Sequence, residues 1–584
     1  MKTIAIDFET YYDKTYSLTG MSYKEYVNDR RFDAYMVTIV GEGVEFVGRP
    51  EDFDWASIDG LRWAMHNASF DEEVFLRLRE LFPEIYEAGT PAEVVCTADL
   101  CSYLQLPRSL KGAMREVFQI EVDKSQRNKM SGGSSDLLAT DAATMEYALL
   151  DSVYCLKLWN TLSPHWPAKE RTLSQLTREC GRKGVPVDLE RLIKERAALL
   201  DVCKQAKEAV PWVASGLSTS VVSMKQVKKW CSMFEIPAPK SLAKTSEDCA
   251  AWLEEHGEEF PWVKAMQTWR SANTLSLKYD AIIRATFGGR WRYQLKYCGA
   301  PHTSRWSGSG GANIQNLPRG EMYGTNLRNC LKAPDGFTLV VADLSQIEPR
   351  CIKLLTNDLR WLDIVRSGKS PYVAHGMASY NYTEERCKEP AIYSRLKMEV
   401  LLLGYGGGAV TLRTQAQAMF GTTLSARGAK SIVDDYRRAN TDIVALWDSC
   451  DADLRKATRK SDGRAVFKLP SGDSLRYFNT SVGRGLTTYT VKGERKTHLW
   501  GGVAAQNITQ RLGRNVFAEG LLRVQQVQDC EILFTVHDEV VCIAPLDRAE
   551  QVAEEVQAAL AESPPWAPLL PVACDVQITP FYTK

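Results

Sequence analysis

No apolar run in the sequence approaches the roughly 20 residues needed to cross a bilayer, which excludes a membrane-spanning helix. No signal-peptide core fits ahead of the first acid, Asp7, so export is not expected and the cytoplasm is. Cys-x-x-Cys is absent. Of the 15 cysteines the nearest two, Cys96 and Cys101, have four residues between them. An odd count without metal-ligand spacing reads as reduced thiols and argues against a zinc or disulfide framework. Net charge is missing too: 72 basic residues balance 72 acidic ones, which argues against indiscriminate polyanion binding. There is no internal repeat and no long low-complexity tract. The remainder, 584 residues of which 45% are hydrophobic and 25% charged, is a globular composition with room for three or four domains.

Charge is unevenly placed along the chain. Residues 1–100 hold 20 acids against 9 bases, whereas 454–500 hold 11 bases against 3 acids, interleaved with Phe467, Tyr477, Phe478, Tyr489 and Trp500. Basic groups among aromatics suit phosphate contact and base stacking, although a solvated face of a large protein has the same look.

The first 160 residues alternate between strand and helix signals. Lys2–Phe8 is β-rich, and Ala34–Val40 with Val44–Gly48 around Gly41-Glu42-Gly43 reads as a hairpin. Phe70–Leu81 and Ala142–Trp159 have helical spacing, and the polar, Gly/Ser-rich Lys124–Ser135 reads as a mobile loop. Residues 165–295 are mostly helical with a break at Gly181–Leu189. Residues 296–345 return to loop and strand, 350–460 are helical, and 520–584 hold strands around one helix.

In the first strand Ile4, Ile6 and Phe8 alternate with Asp7 and Glu9. Two acids on one strand face repel each other, and a divalent cation with hard oxygen ligands relieves that; alone, the pattern also fits an exposed edge strand. Asn67-Ala68-Ser69-Phe70-Asp71 opens a helix, and Tyr147 and Asp151 share a helix face at i and i+4. In this order these residues resemble the three motifs of the DEDDy-type 3′–5′ exonucleases, the proofreading domains of DNA polymerases. The resemblance implies an RNase H-like sheet over residues 1–160. Asp7, Glu9, Asp71 and Asp151 would hold two metal ions there, and Tyr147 would orient the attacking water.

Phe337–Ala342 is an apolar β-run ending in Asp343-Leu344-Ser345-Gln346-Ile347-Glu348. Glu531–Val536 and Val540–Ala544 are strand runs joined by His537-Asp538-Glu539, a poor sequence for a plain hairpin turn. These segments resemble the first and last palm motifs of family A DNA polymerases, the bacterial polymerase I kind and its phage relatives. The resemblance implies an α/β multidomain chain: an RNase H-like exonuclease domain followed by a right-hand polymerase with an antiparallel-sheet palm, helical fingers and a helical thumb. Asp343 and Asp538 would carry two magnesium ions, and two more would sit in the exonuclease site, with manganese able to substitute. The Leu344 carbonyl would meet a metal, and Glu348 would exclude a ribose 2′-hydroxyl. Leu344 replaces the family's usual tyrosine, and Pro349 stands where leucine is common.

Between these motifs, Tyr393, Lys397, Leu401 and Tyr405 recur every four residues on one helix face. An amphipathic core helix with a snorkelling lysine has the same pattern. In its position the segment resembles the family's fingers helix, so Lys397 would bind the triphosphate and protonate pyrophosphate, and Tyr405 would close beside the template base. Tyr393 replaces the family's arginine, which leaves Arg395 as the substitute candidate. His375 and Tyr372 are further candidates for the incoming nucleotide. Leu401, where the family has an aromatic residue, implies poor dideoxynucleotide use.

Arg305, Asn313 and Gln315 lie in a polar loop similar to the family's primer-end segment, and would meet the minor-groove acceptors common to all base pairs. Gln510, with Gln506 one turn earlier, and His537 complete the expected DNA contacts. The domains implied are 1–160 exonuclease, 165–300 linker and thumb, 301–350 palm, 351–500 fingers and 501–584 palm again. Only six residues precede Asp7, so the 5′-nuclease domain of many bacterial relatives is not expected. The resulting expectation is a monomeric, template-directed DNA polymerase with 3′–5′ proofreading, of the phage replicative type. It would act on primer–template DNA and dNTPs, beside an unidentified helicase and single-strand-binding protein. The alternative is a 3′–5′ exonuclease whose polymerase half only binds DNA.

Overall fold

The computed structural model describes residues 1–123, 125–243, 246–483, 486–491 and 495–583. Strand β1 (Thr3–Thr10) pairs antiparallel with β2 (Ala34–Gly41), which turns through Gly41-Glu42-Gly43 into β3 (Val44–Gly48). On its other side β1 runs parallel to β4 (Arg62–Met65), and β4 to β5 (Glu93–Cys96). The order β3-β2-β1-β4-β5 puts β1 at the centre, which removes the edge-strand reading of its acids. Ile4, Ile6 and Phe8 enter one apolar cluster with Trp55, Trp63 and Phe75, while Ala5 joins the core on the opposite face. Helix α1 (Ala68–Leu81) covers the first face. Helix α2 (Ala142–Leu162) lies on the second, where the Ser152 and Thr38 hydroxyls meet at 2.6 Å.

The expected loop at Lys124–Ser135 is instead partly helical, with short helices at Ser125–Met130 and Ser135–Thr140; Lys124 lies outside the described residues. Its polar composition hid one apolar anchor, Met130, which is buried in a cluster with Tyr35, Met36 and Ala139 of the next helix.

Helix α3 (Ala168–Lys183) leads out of this unit and stops at Gly184, where φ is +73° and a Cβ would lie 2.4 Å from the Trp291 carbonyl oxygen. Only glycine fits such a close approach. Asp188 then accepts from the Arg191 N–H and caps α4 (Leu189–Glu208), which packs along α5 (Pro261–Arg284). The far end of this pair carries its own apolar cluster around Trp212, Trp252 and Trp262.

Strand β6 (Phe337–Leu344) precedes α6 (Ile347–Leu355), and a helical region follows that includes α7 (Pro371–Tyr380), α8 (Pro390–Leu402) and α9 (Ala426–Ala439). An antiparallel sheet of four strands follows, β7 (Ala465–Lys468), β8 (Ser474–Gly483), β9 (Leu486–Val491) and β10 (Arg495–Leu499). The long helix α10 (Gly501–Val524) leads to β11 (Glu531–Val536), β12 (Glu539–Pro545), α11 (Ala549–Ala561) and β13 (Cys574–Thr579). The second large sheet is antiparallel, in the order β11-β12-β6-β13, so chain segments about 200 residues apart are hydrogen-bonded neighbours. Among the described residues no helix is long and apolar enough to cross a membrane.

Candidate active sites in two carboxylate clusters

The first cluster grows out of β1. Carboxylate oxygens of Asp7, Glu9 and Asp151 all lie within 4.8 Å of one another. Alternation along β1 supplies two of these acids and the inward face of α2 the third. Asp71, from the first turn of α1, is almost wholly buried and lies outside that trio, its Oδ1 accepting the Phe8 N–H at 3.4 Å. Burial, with the Glu9 charge adding to it, pushes its carboxyl well above the ordinary range. Tyr147, one turn before Asp151, is half-buried beside Tyr35 and Met36. Four carboxyl groups on adjoining elements form a donor set of hard oxygens that fits magnesium or manganese.

The second cluster sits at the end of the β11-β12-β6-β13 sheet. Asp343 pairs in register with Glu539 on one side and Asp575 on the other. Val536 pairs with Glu539, so His537-Asp538 is a two-residue turn, with His537 in the left-handed region at φ +58°. A non-glycine residue held there marks a constrained turn. The turn presents Asp538 toward Asp343. Burial first, and the Asp343 charge second, push the Asp538 carboxyl up to about 6. The Leu344 N–H donates to the Asp538 carbonyl at 3.1 Å, which ties the two motifs together through backbone, while the Leu344 side chain is buried. Glu539 faces inward and accepts from the Tyr582 hydroxyl at 2.7 Å. The third residue of the His-Asp-Glu sequence is therefore a structural acid.

Glu348 stands in the first turn of α6, and Pro349 costs nothing there because first-turn N–H groups lack helical partners anyway. The Arg305 guanidinium lies 2.5 Å from one Glu348 oxygen, and the Tyr405 hydroxyl donates to the other at 3.4 Å. Glu348, Leu401, Tyr405 and Asp538 line a common cavity of about 310 Å³.

Several expected residues are placed differently. Helix α8 ends at Leu402, so Tyr405 is not on its face: the glycine-rich turn breaks the four-residue spacing and swings the phenol onto Glu348. Lys397 lies on α8, its ammonium 6.0 Å from the Tyr372 ring centre and 5.8 Å from that of Phe420. Arg395, two residues earlier and so on another face, is taken up by Glu399 at 2.7 Å and Asp435 at 3.0 Å. His375 is buried with Nε2 at 3.0 Å from Glu399, which also accepts from the Tyr380 hydroxyl. Both Arg395 and His375 thus brace the helical region internally. The Asn313 side chain accepts the Gln315 N–H at 2.9 Å and caps a short turn, and Gln315 is largely buried. Gln510 is half-buried on α10, and His537 is exposed.

Sequence reasoning missed Tyr582, which has no motif around it, and the buried pairs Arg514–Glu170 and Arg511–Asp473. Two arginines three residues apart within a mostly apolar stretch of α10 were the available signal for those pairs.

Comparison with known proteins finds DNA polymerases. Residues 190–462 match the model of DNA polymerase family A. The DNA polymerase of Bacillus phage SP02 is 25% identical, with 85% of this chain and 86% of that one covered. The DNA polymerases I of Aquifex aeolicus and Thermus aquaticus are 25% and 24% identical over 64% and 66% of this chain, which spans about half of their length (59% and 44%). A solved structure of the POL domain of Pol1 from M. smegmatis, in complex with DNA primer-template and dNTP, superimposes with a TM-score of 0.69. It has 18% identity and covers 99% of this chain and 95% of that one. The chain is thus similar to DNA polymerase family A over residues 190–462 and to the phage SP02 DNA polymerase over most of its length.

Proposed function

We propose that this DNA polymerase carries two separate active sites on one chain, one extending a primer and one trimming its 3′ end. The observation that carries this reading is the pair of acid clusters, Asp343 with Asp538 at the end of one sheet and Asp7, Glu9 and Asp151 on another. The proposed division is 1–160 exonuclease, 165–300 linker and thumb, 301–350 and 501–584 palm, and 351–500 fingers.

Magnesium, or manganese in its place, would be held by Asp343, Asp538 and the Leu344 carbonyl, and by Asp7, Glu9, Asp71 and Asp151. When bound it supplies Lewis acidity that activates the attacking oxygen and offsets phosphate charge. The protein's own groups do the rest. Lys397 offers its ammonium to the triphosphate and a proton to departing pyrophosphate. Glu348, fixed by Arg305 and Tyr405, occupies the space a ribose 2′-hydroxyl would need. Asn313, Gln315, Gln510 and His537 lie on the DNA side, and Arg305 reaches DNA only by loosening its hold on Glu348. In the N-terminal site Tyr147 orients water toward the 3′-terminal phosphate. Likeness to the phage SP02 DNA polymerase over most of both chains supports a phage replicative role; the proposed setting is the host cytoplasm, with the chain acting as a monomer beside a helicase and a single-strand-binding protein.

An end-labelled primer on a longer template, incubated with magnesium, tests this directly. Extension with four dNTPs and 3′ shortening without them is the expected result. Shortening in both cases overturns the polymerase assignment and favours a nuclease that only binds DNA through its C-terminal half.

A further inference from the structure

We propose that Trp500 is a stacking platform for an unpaired base of the single-stranded template; this rests on the polymerase reading above. Trp500 joins β10 to α10 and keeps 44% of its surface exposed, although it lies next to a buried core. Single exposed apolar residues are ordinary on a protein surface, so the case for Trp500 rests on what surrounds it.

Its surroundings are built for a flat ring. A Cβ on Gly406 would lie 2.4 Å from the indole, and one on Gly502 would lie 2.3 Å from it. Only bare backbone lets the ring settle there, and Gly406 is also at φ +81°, where other residues are strained. Gly406 directly follows Tyr405, and a Cβ on Gly502 would come within 2.5 Å of the Tyr405 carbonyl oxygen. The indole and Tyr405 therefore share one patch of backbone at the edge of the Glu348 cavity.

A hollow of about 360 Å³ opens beside the ring, bounded by Gly406, Arg437, Val444, Trp447 and Asp448. Its floor is fixed, since the Trp447 indole donates to the Gly404 carbonyl at 3.0 Å. Exposed Arg437 donates to the Gly406 carbonyl at 3.4 Å and puts a guanidinium on the rim, within reach of a strand's phosphates. Among the acids of the hollow, Asp451 is paired with Arg455 at 2.7 Å. An aromatic ring with an adjacent arginine is the usual composition of a single-strand platform, and it accepts any base because every base has a π-face.

The test uses the full chain in EDTA, which keeps both active sites silent, and fluorescence anisotropy on two labelled duplexes. One has a single-stranded template overhang and the other is flush. Trp500→Ala is expected to weaken binding of the overhang duplex by about 5- to 150-fold, the range of one base–aromatic stack, and to leave the flush duplex unchanged. Trp500→Phe, which keeps a ring, should retain most of the overhang preference. Equal weakening on both duplexes would show that the indole only holds the glycine turn in place, and no weakening on either would show no contact; both overturn the proposal. If the wild-type chain extends primers while Trp500→Ala binds the overhang normally, this inference alone falls. If the wild-type chain does not extend primers, the polymerase reading falls first.

Discussion

Asp538 is held where its charge is disfavoured. It sits on a two-residue turn beside Asp343, partly out of water, and its carboxyl titrates near 6 rather than at its ordinary 3.8. Above pH 6 the group is ionised in both folded and unfolded chains, and the folded state bears the cost. Asp538→Asn should therefore raise the melting temperature of the metal-free protein at pH 8, by about 1–3 kcal/mol of stability, while abolishing extension. That gain should disappear as the pH falls from about 6 to about 4, since below both values the carboxyl is protonated in either state. Thermal melts in EDTA across this range check both the sign and the window. A second residue-scale expectation concerns Glu348, whose carboxylate is fixed by Arg305 and Tyr405. Glu348→Ala should raise ribonucleotide incorporation by at least about tenfold relative to deoxyribonucleotides, the factor that about 1.4 kcal/mol of lost steric discrimination gives, measured by single-nucleotide extension. Strand alternation singled out Asp7 and Glu9, and strand ends Asp343 and Asp538, whereas Asp71 and Asp151, on helices, were named only through the family resemblance. The occupation of Arg395 by Glu399 and Asp435 was not legible in the sequence, since a long side chain reaches partners that no local spacing reveals.

At the scale of elements, strand alternation and the β11-β12 hairpin were readable because they depend on nearest neighbours along the chain. The end of α8 was not: a four-residue period ran on to Tyr405 in the sequence, but the glycines after Leu403 stop the helix and re-aim the phenol. The antiparallel strands β7 to β10 lay hidden under a composition rich in charge. Tyr582 illustrates a long-range dependence. Its hydroxyl reaches Glu539 at the start of β12, one residue after Asp538, and its ring stacks under Arg328. Tyr582→Phe removes one donor from a buried carboxylate and should cost about 1–3 kcal/mol. Because the loss falls beside the β11-β12 turn, primer extension should slow while 3′ shortening keeps its wild-type rate; parallel gel assays of the variant check this.

For the whole molecule, the two acid clusters lie on different sheets but adjoin one apolar core. A single cluster runs from Ala5 and Leu158 of the N-terminal unit through α3 to the β11-β12-β6-β13 sheet. Buried ion pairs cross the same junction. Glu170 on α3 takes both terminal nitrogens of Arg514 on α10, at 2.6 and 2.9 Å, and also accepts from Tyr297. Arg511 holds Asp473 at 2.6 Å and reaches the Tyr103 carbonyl, so the β7–β10 sheet, α10 and the N-terminal unit are bound together. Glu170→Ala leaves the Arg514 guanidinium buried without its carboxylate and should destabilise the chain by about 3–5 kcal/mol. Changing Glu170 to Gln and Arg514 to Met together should recover much of that loss, and urea melts of the single and double variants measure it.

The central claim is that extension and 3′ trimming belong to separate acid clusters on one folded chain. Comparing Asp7→Ala and Asp538→Ala on the same labelled primer–template, with magnesium and with or without dNTPs, tests it most directly. Asp538→Ala should abolish extension and still shorten the primer, and Asp7→Ala should extend the primer and no longer shorten it. Loss of both activities from either single change, in a variant that melts like the wild-type chain, would contradict the two-site account.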